Sequence, residues 1–244
     1  MSRIPHSQPA EDGRERAVVL LSGGLDSATV LALARQKGLD SVCLTLEYGQ
    51  RHSPEIEAAR WVADHLGATE HRILEFPFST LASSALTEPQ EPVPVDRDAD
   101  ECDKDIPPTY VPARNTIFLS CALAVAESTR AQHIYCGVNA VDFSGYPDCR
   151  PEYIEAFQRV AELATQQAVE EKPPEIHAPL INLTKARIIL KGIELGVDYS
   201  RTVTCYDPDP EGRACGRCDA CILRRKGFDE AGVEDPTRYQ DRGK

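Results

Sequence analysis

Short apolar runs alternate with longer amphipathic stretches along most of this 244-residue chain. Ala17-Val18-Val19-Leu20-Leu21 is continuously apolar and rich in β-branched residues, the pattern of a strand covered on both faces. Ser41 to Leu46, His71 to Phe76, His133 to Val138 and Ile176 to Leu180 read as four further strands. Helical spacing fills the intervals. It runs from Ala28 to Lys37 with Gly38 as its stop, and from Glu55 to Leu66, where Ile56, Ala59, Val62, Ala63 and Leu66 share a face before Gly67. Asn115 to Glu127, Pro151 to Glu171, and Lys185 to Leu195 ahead of Gly196 complete the set. This alternation predicts an α/β fold with a doubly wound, Rossmann-like parallel sheet and right-handed crossovers.

Three segments escape the pattern. Residues 1–16 are polar and read as an extension. Glu88 to Pro108 holds five prolines and eight acidic residues and reads as a long loop, either a solvated insertion or a lid. After Val197 the chain becomes cysteine-rich. The expected organisation is therefore an extension (1–16), a main domain (17–197) and an appended C-terminal subdomain (198–244).

Composition narrows the setting. With 41% hydrophobic and 27% charged residues the chain is of ordinary globular type. No apolar run approaches the roughly 20 residues of a membrane-spanning helix, so no membrane role is expected. Residues 1–16 lack the apolar core of a secretory signal, which makes the cytoplasm the default location. The net charge of −12 disfavours direct binding to nucleic acid, which rewards a basic surface. Nine cysteines in such a chain point to metal or reactivity rather than to a disulfide framework.

The first candidate site is Ser22-Gly23-Gly24-Leu25-Asp26-Ser27, between the first strand and a helix N-terminus. In doubly wound sheets, ligands gather at the carboxyl ends of the strands. Two glycines let backbone N–H groups close on an anion, and the helix terminus and the hydroxyls of Ser22 and Ser27 add donors. The loop lacks the lysine of a Walker loop and the third glycine of a dinucleotide fingerprint. Asp26 would repel a phosphate directly and suits a helix cap or a partner for Mg²⁺.

Four more polar segments fall at strand exits or helix starts: Tyr48-Gly49-Gln50-Arg51-His52, Val111-Pro112-Ala113-Arg114-Asn115, Asp142 to Glu152, and Leu183-Thr184-Lys185. Arg114 suits a phosphate or carboxylate, and Lys185 a phosphoryl group in transfer. In the tail, Cys205, Cys215, Cys218 and Cys221 supply a tetrahedral S₄ set. Structural zinc is the reading of such a set, with iron–sulfur ligation, which uses similar spacing, as its main competitor. The basic run Leu223-Arg224-Arg225-Lys226 after the last of them reads as pairing with acidic residues or closing an interface. Cys149 suits a structural role better than that of a nucleophile.

The SGGLDS string resembles the PP-loop of the ATP pyrophosphatase superfamily, of the adenine nucleotide alpha hydrolase fold type. With SGYPDCRPE (Ser144 to Glu152) and the cysteine tail, the chain from Val18 to Tyr239 is similar to the 7-cyano-7-deazaguanine synthases of queuosine biosynthesis. The resemblance implies a carbon–nitrogen ligase that joins ammonia to 7-carboxy-7-deazaguanine, cleaving ATP to AMP and pyrophosphate. It implies ATP contacts at Leu20, Leu21, Ser22, Gly23, Gly24, Leu25, Asp26, Ser27, Ala28, Thr29 and Val30, and catalytic work by Lys185, Arg114 and Asp26. Substrate contacts are expected at Tyr48, Gln50, Arg51, His52, Asn115, Asp142, Tyr146, Asp148 and Arg150, with Asp142 or Asp148 reading the purine-like edge. It also implies zinc on the four tail cysteines and a homodimer. The competing readings are a tRNA-modifying PP-loop enzyme, which wants a basic docking surface, and a non-catalytic zinc-knuckle module, which has no use for a PP-loop.

Overall fold

The structure is a computed structural model that describes residues 13–49, 54–88, 90–98, 106–141 and 146–241. Five strands, β1 (Arg16–Leu20), β2 (Asp40–Glu47), β3 (Glu70–Glu75), β4 (His133–Tyr135) and β5 (Glu175–His177), form one sheet in the order β3-β2-β1-β4-β5. Every pairing is parallel; Val18, for example, lies between Val42 of β2 and Ile134 of β4. The chain builds outward from β1 to one side, then crosses to start the other half at β4. The exits of β1 and β4 therefore form the switch point at which such sheets bind ligands.

Among the described residues, seven α-helices accompany the sheet: α1 (Leu25–Gln36), α2 (Pro54–His65), α3 (Arg114–Thr129), α4 (Pro151–Ala164), α5 (Gln166–Glu170), α6 (Lys185–Glu194) and α7 (Asp219–Ala231). The apolar run of β1 serves two cores by simple alternation. Ala17, Val19 and Leu21 pack with Leu31 of α1, Val62 of α2, and Ile188 and Ile189 of α6. Val18 faces the other way, onto Leu119 and Ala126 of α3 and Ile154 and Phe157 of α4. Arg16, the last residue of the expected extension, already begins β1, where its guanidinium pairs with the buried Asp40 carboxylate at 2.6 Å.

One expectation changes. The helix expected over 151–171 is broken at Thr165, whose backbone is extended (φ −111°, ψ 145°). Its hydroxyl donates to Ala161 O at 3.0 Å and accepts from Ala168 N at 3.1 Å, ending α4 and capping α5 at once. In the tail, helix α7 lies along α6. Phe228 of α7 is buried in the first core, edge-on to Tyr199 with ring centroids 5.8 Å apart.

Candidate active site

A cavity of about 270 Å³ opens at the carboxyl ends of β1, β2 and β4. Its floor is the loop from β1 into α1. Ser22 Oγ and Ser27 Oγ lie 3.1 Å apart, and Ser22 N donates to Ser27 Oγ at 3.2 Å, which closes the turn around the helix terminus. No side chain caps α1, so its first N–H groups remain available to an anion. The two glycines differ in purpose. Gly23 has φ +82°, and a Cβ there would lie 2.4 Å from Glu55 O and 2.6 Å from Ala59 N. It is glycine because α2 passes against the loop. At Gly24 the nearest atom to an added Cβ would be 3.4 Å away, an ordinary contact.

Lys185 begins α6, where Thr184 caps the helix by accepting from Arg187 N at 3.4 Å. Its Nζ donates to both carboxylate oxygens of Asp26, at 2.8 and 2.9 Å. The lysine stem passes over Gly227 of α7, where a Cβ would meet Lys185 Cγ at 2.4 Å. The tail helix thus has a glycine where the Lys185 stem crosses it.

Arg114 opens α3 behind Ala113, which is held in the left-handed region at φ +56°. Its guanidinium donates to the Tyr48 hydroxyl at 3.5 Å and lies 6.0 Å from the ring centroids of both Tyr48 and Phe118. Glu55, in the first turn of α2, also lines the cavity; burial pushes its carboxyl up to about 7, against the pull of Arg114. Tyr146 closes one side, its hydroxyl 3.1 Å from Thr109 Oγ1. Tyr206 stands beside it, its phenol pKa raised by burial.

Of the expected ATP contacts, Leu20, Leu21, Ser22, Gly24, Leu25, Asp26 and Ser27 line the cavity. Ala28 and Val30 lie in the first core, and Thr29 is fully buried, bonded to Leu25 O and to the Tyr199 hydroxyl at 2.7 Å. These three support the helix that carries the loop. Tyr48, Arg114, Asn115, Tyr146 and Lys185 also line the cavity. Asp148 and Arg150 face a neighbouring groove instead. Asp148 Oδ2 accepts from Asn115 N at 3.1 Å near the start of α3, and Arg150 Nε donates to Pro147 O at 3.1 Å. Gln50, Arg51, His52 and Asp142 lie outside the described residues. Cys149 is buried, accepts from Asn115 Nδ2 at 3.3 Å, and has its thiol pKa pushed up to about 12 by burial. That disposition suits structure, not nucleophilic attack.

Glu55, Val203, Thr204, Tyr206 and Arg224 are among the further lining residues not singled out as site residues from the sequence. Val203 N donates to Gly23 O at 3.0 Å, so the tail also braces the glycine loop. Arg224, read as part of a basic run, is buried. It pairs with Asp235 at 3.1 Å and donates to Thr202 Oγ1, Thr204 Oγ1 and Tyr199 O. Arg225 donates to Gly216 O and lies 5.4 Å from the Tyr239 ring centroid. The legible signal for Tyr206 was its place next to Cys205; Glu55 looked like any acidic first-turn residue.

The thiols of Cys205, Cys215, Cys218 and Cys221 lie within 4.8 Å of one another, close enough for one metal ion. Backbone N–H groups point at the sulfurs: Cys215 N and Asp207 N at Cys205 Sγ (3.2 and 3.3 Å), and Arg217 N and Cys218 N at Cys215 Sγ (both 3.4 Å). Such donors favour thiolates, the form that binds metal. Part of the proline-rich loop is strapped to this cluster. Val95 bridges to Cys218, Asp96 N donates to Arg217 O at 2.9 Å, and Arg97 pairs with Asp219 at 2.7 Å.

The family model for queuosine biosynthesis protein QueC matches residues 16–232. The chain belongs to the QueC family. Among its relatives, the 7-cyano-7-deazaguanine synthase of Desulfatibacillum aliphaticivorans is 59% identical over 93% of this chain and 97% of its own. The enzymes of that name from Myxococcus xanthus (strain DK1622) and Azoarcus sp. (strain BH72) are 58% and 60% identical, each over 93% of this chain and 98% of its own. The matched span of this QueC family member contains the glycine loop, the Asp26–Lys185 pair, Arg114 and all four clustered cysteines.

Proposed function

We propose that this chain converts 7-carboxy-7-deazaguanine and ammonia to 7-cyano-7-deazaguanine, with two ATP cleaved to AMP and pyrophosphate, in queuosine biosynthesis. The observation that carries the reading is one cavity that joins an uncapped helix terminus, the Asp26–Lys185 pair and the Arg114 cation at the switch point of the sheet. A carboxylate does not react with ammonia because its oxygen leaves poorly. Attack of that oxygen on the α-phosphorus of ATP releases pyrophosphate and makes AMP the leaving group. Ammonia then adds at the acyl carbon, AMP departs and a proton is lost, giving the primary amide. Attack of the amide oxygen on a second ATP, followed by loss of AMP and the remaining N–H protons, gives the nitrile.

Each residue has a task in that sequence. The N–H groups at the start of α1, with Ser22 and Ser27, hold the departing pyrophosphate. Asp26 would hold Mg²⁺, which would offset charge on the phosphates, and Lys185, bonded to Asp26 in this structure, would bind the phosphates themselves. Arg114, backed by Tyr48 and Phe118, holds the substrate carboxylate. Tyr146 packs against the deazapurine, while Asn115, tied to Asp148, keeps the start of α3 in place. Gln50, Arg51, His52, Asp142 and Arg150 are assigned to substrate binding. Zinc on the four cysteines holds residues 198–244 as a structural subdomain on the 17–197 ATP domain. A cytoplasmic homodimer that acts on free small molecules, without direct contact to RNA, completes the proposal.

The test is incubation of purified protein with ATP, ammonium and 7-carboxy-7-deazaguanine, with products read by mass spectrometry. The expected products are the nitrile, AMP and pyrophosphate, without any RNA present. Turnover that requires tRNA, or ATP cleaved to ADP, overturns the reading.

A further inference from the structure

On one face of the sheet, β4 and β5 bring two histidines and a glutamate together. The parallel register sets His133 beside Glu175 and Tyr135 beside His177, so all four side chains share one face. His133 Nδ1 lies 3.0 Å from His177 Nε2, and His177 Nε2 lies 3.7 Å from Glu175 Oε2. The other nitrogen of His133, Nε2, lies 3.2 Å from the carboxylate of Glu15, just ahead of β1. The Tyr135 ring stacks on His177 with centroids 4.5 Å apart and fixes the plane of that imidazole.

We propose that His133 Nδ1, His177 Nε2 and Glu175 bind a divalent transition-metal ion, separate from the four-cysteine cluster. Two ligands at zinc–nitrogen distances of about 2.0–2.1 Å, set at angles between a right angle and a tetrahedral one, stand roughly 2.9–3.3 Å apart. The 3.0 Å between the two ring nitrogens falls in that range. Glu175 needs only a small rotamer adjustment, and its carboxylate is 67% exposed and able to make it. Glu15 supplies what an isolated histidine pair lacks. By accepting from His133 Nε2 it directs the lone pair of Nδ1 at the metal position, the carboxylate–histidine–metal arrangement. The two carboxylates also balance the double charge of the ion. Without metal, the N–H of His177 Nε2 fills this position as an N–H···N bond to His133 Nδ1; on binding, the neutral His177 ring carries its one proton on Nδ1 instead, which frees the Nε2 lone pair for the ion. Imidazole donors select an ion of the zinc or cobalt kind over Mg²⁺ or Ca²⁺. The ion would staple the edge strand β5 to β4 and, through Glu15, to the entry of β1.

Protein already carrying metal on its four cysteines is titrated with Zn²⁺ by calorimetry, and separately with Co²⁺ followed in the visible. A second ion per chain is expected at low-micromolar free metal, and the added Co²⁺ shows weak d–d bands without thiolate charge transfer. Glu15→Gln weakens the second ion by about tenfold. Glu175→Gln, at an exposed position that poses no risk to folding, weakens it at least as much, and His133→Gln abolishes it. AMP release is unchanged in Glu175→Gln. One ion per chain throughout, a second ion indifferent to these variants, or its displacement by Mg²⁺ overturns the proposal.

Discussion

Gly23 is the residue at which the loop tolerates least change. Its positive φ alone costs any other residue about 1–2 kcal/mol, and the clash with the backbone of α2 adds to that. Gly23→Ala is therefore expected to lower unfolding free energy by at least about 2 kcal/mol in a denaturant titration. Gly24→Ala, with ordinary contacts only, should cost much less. Lys185→Ala leaves the Asp26 carboxylate alone where phosphates must enter, and turnover should fall by about 10²–10³-fold with the fold intact. Glu55 adds a pH signature. Its folded pKa, pushed up to about 7 from 4.5, means that folding favours the protonated form. That contribution is fully present below pH 4.5 and is lost as pH rises towards about 7. Comparing the unfolding free energy of the wild type and Glu55→Gln across that window checks the sign, because the variant should lack this component.

Among the elements, α7 connects the cysteine cluster to the ATP cavity. It starts at the clustered thiols of Cys218 and Cys221, passes Gly227 beneath Lys185 and buries Phe228 in the first core. Residues 95–97 are fastened to the same cluster by the Val95 bridge and two ion pairs to Arg217 and Asp219. Removing the metal should therefore loosen two stretches remote in sequence. Amide hydrogen exchange after chelation is expected to rise first in residues 90–98 and 205–231, with β1 and β2 still protected. Uniform loosening of the whole sheet would contradict this coupling. Gly227→Val should displace the Lys185 stem and lower turnover without releasing the metal, since the substitution lies more than a turn beyond Cys221.

For the whole molecule, the net charge of −12 sets how ATP arrives. A polyanion approaching an acidic protein is repelled at long range and captured only by the local donors of the loop, Lys185 and Arg114. Raising ionic strength from about 0.01 to 0.1 M shortens the screening length from roughly 30 to 10 Å. The association rate of ATP, followed by stopped flow, is thus expected to rise with salt, opposite to a basic nucleic-acid-binding protein. Much of the molecule could be read along the chain. The five strands, the glycine loop and the four-cysteine set depend on local pattern and spacing, which a linear sequence carries directly. The continuous apolar run at 17–21 already required a strand covered on both sides, as its split between two cores bears out. Other features depend on which distant segments meet. Thr165 breaks a helix whose apolar period runs through it, and Arg224, one of a run read as pairing with acidic residues, does so as a buried brace with four partners. The close approach of α2 to Gly23, and the bond of Asp148 to Asn115 N in the first turn of α3, are likewise contacts between distant segments. Local pattern determined the elements and the residue types at the strand exits. Tertiary packing alone decided which of those side chains share a cavity, because that depends on contacts between segments far apart in the chain.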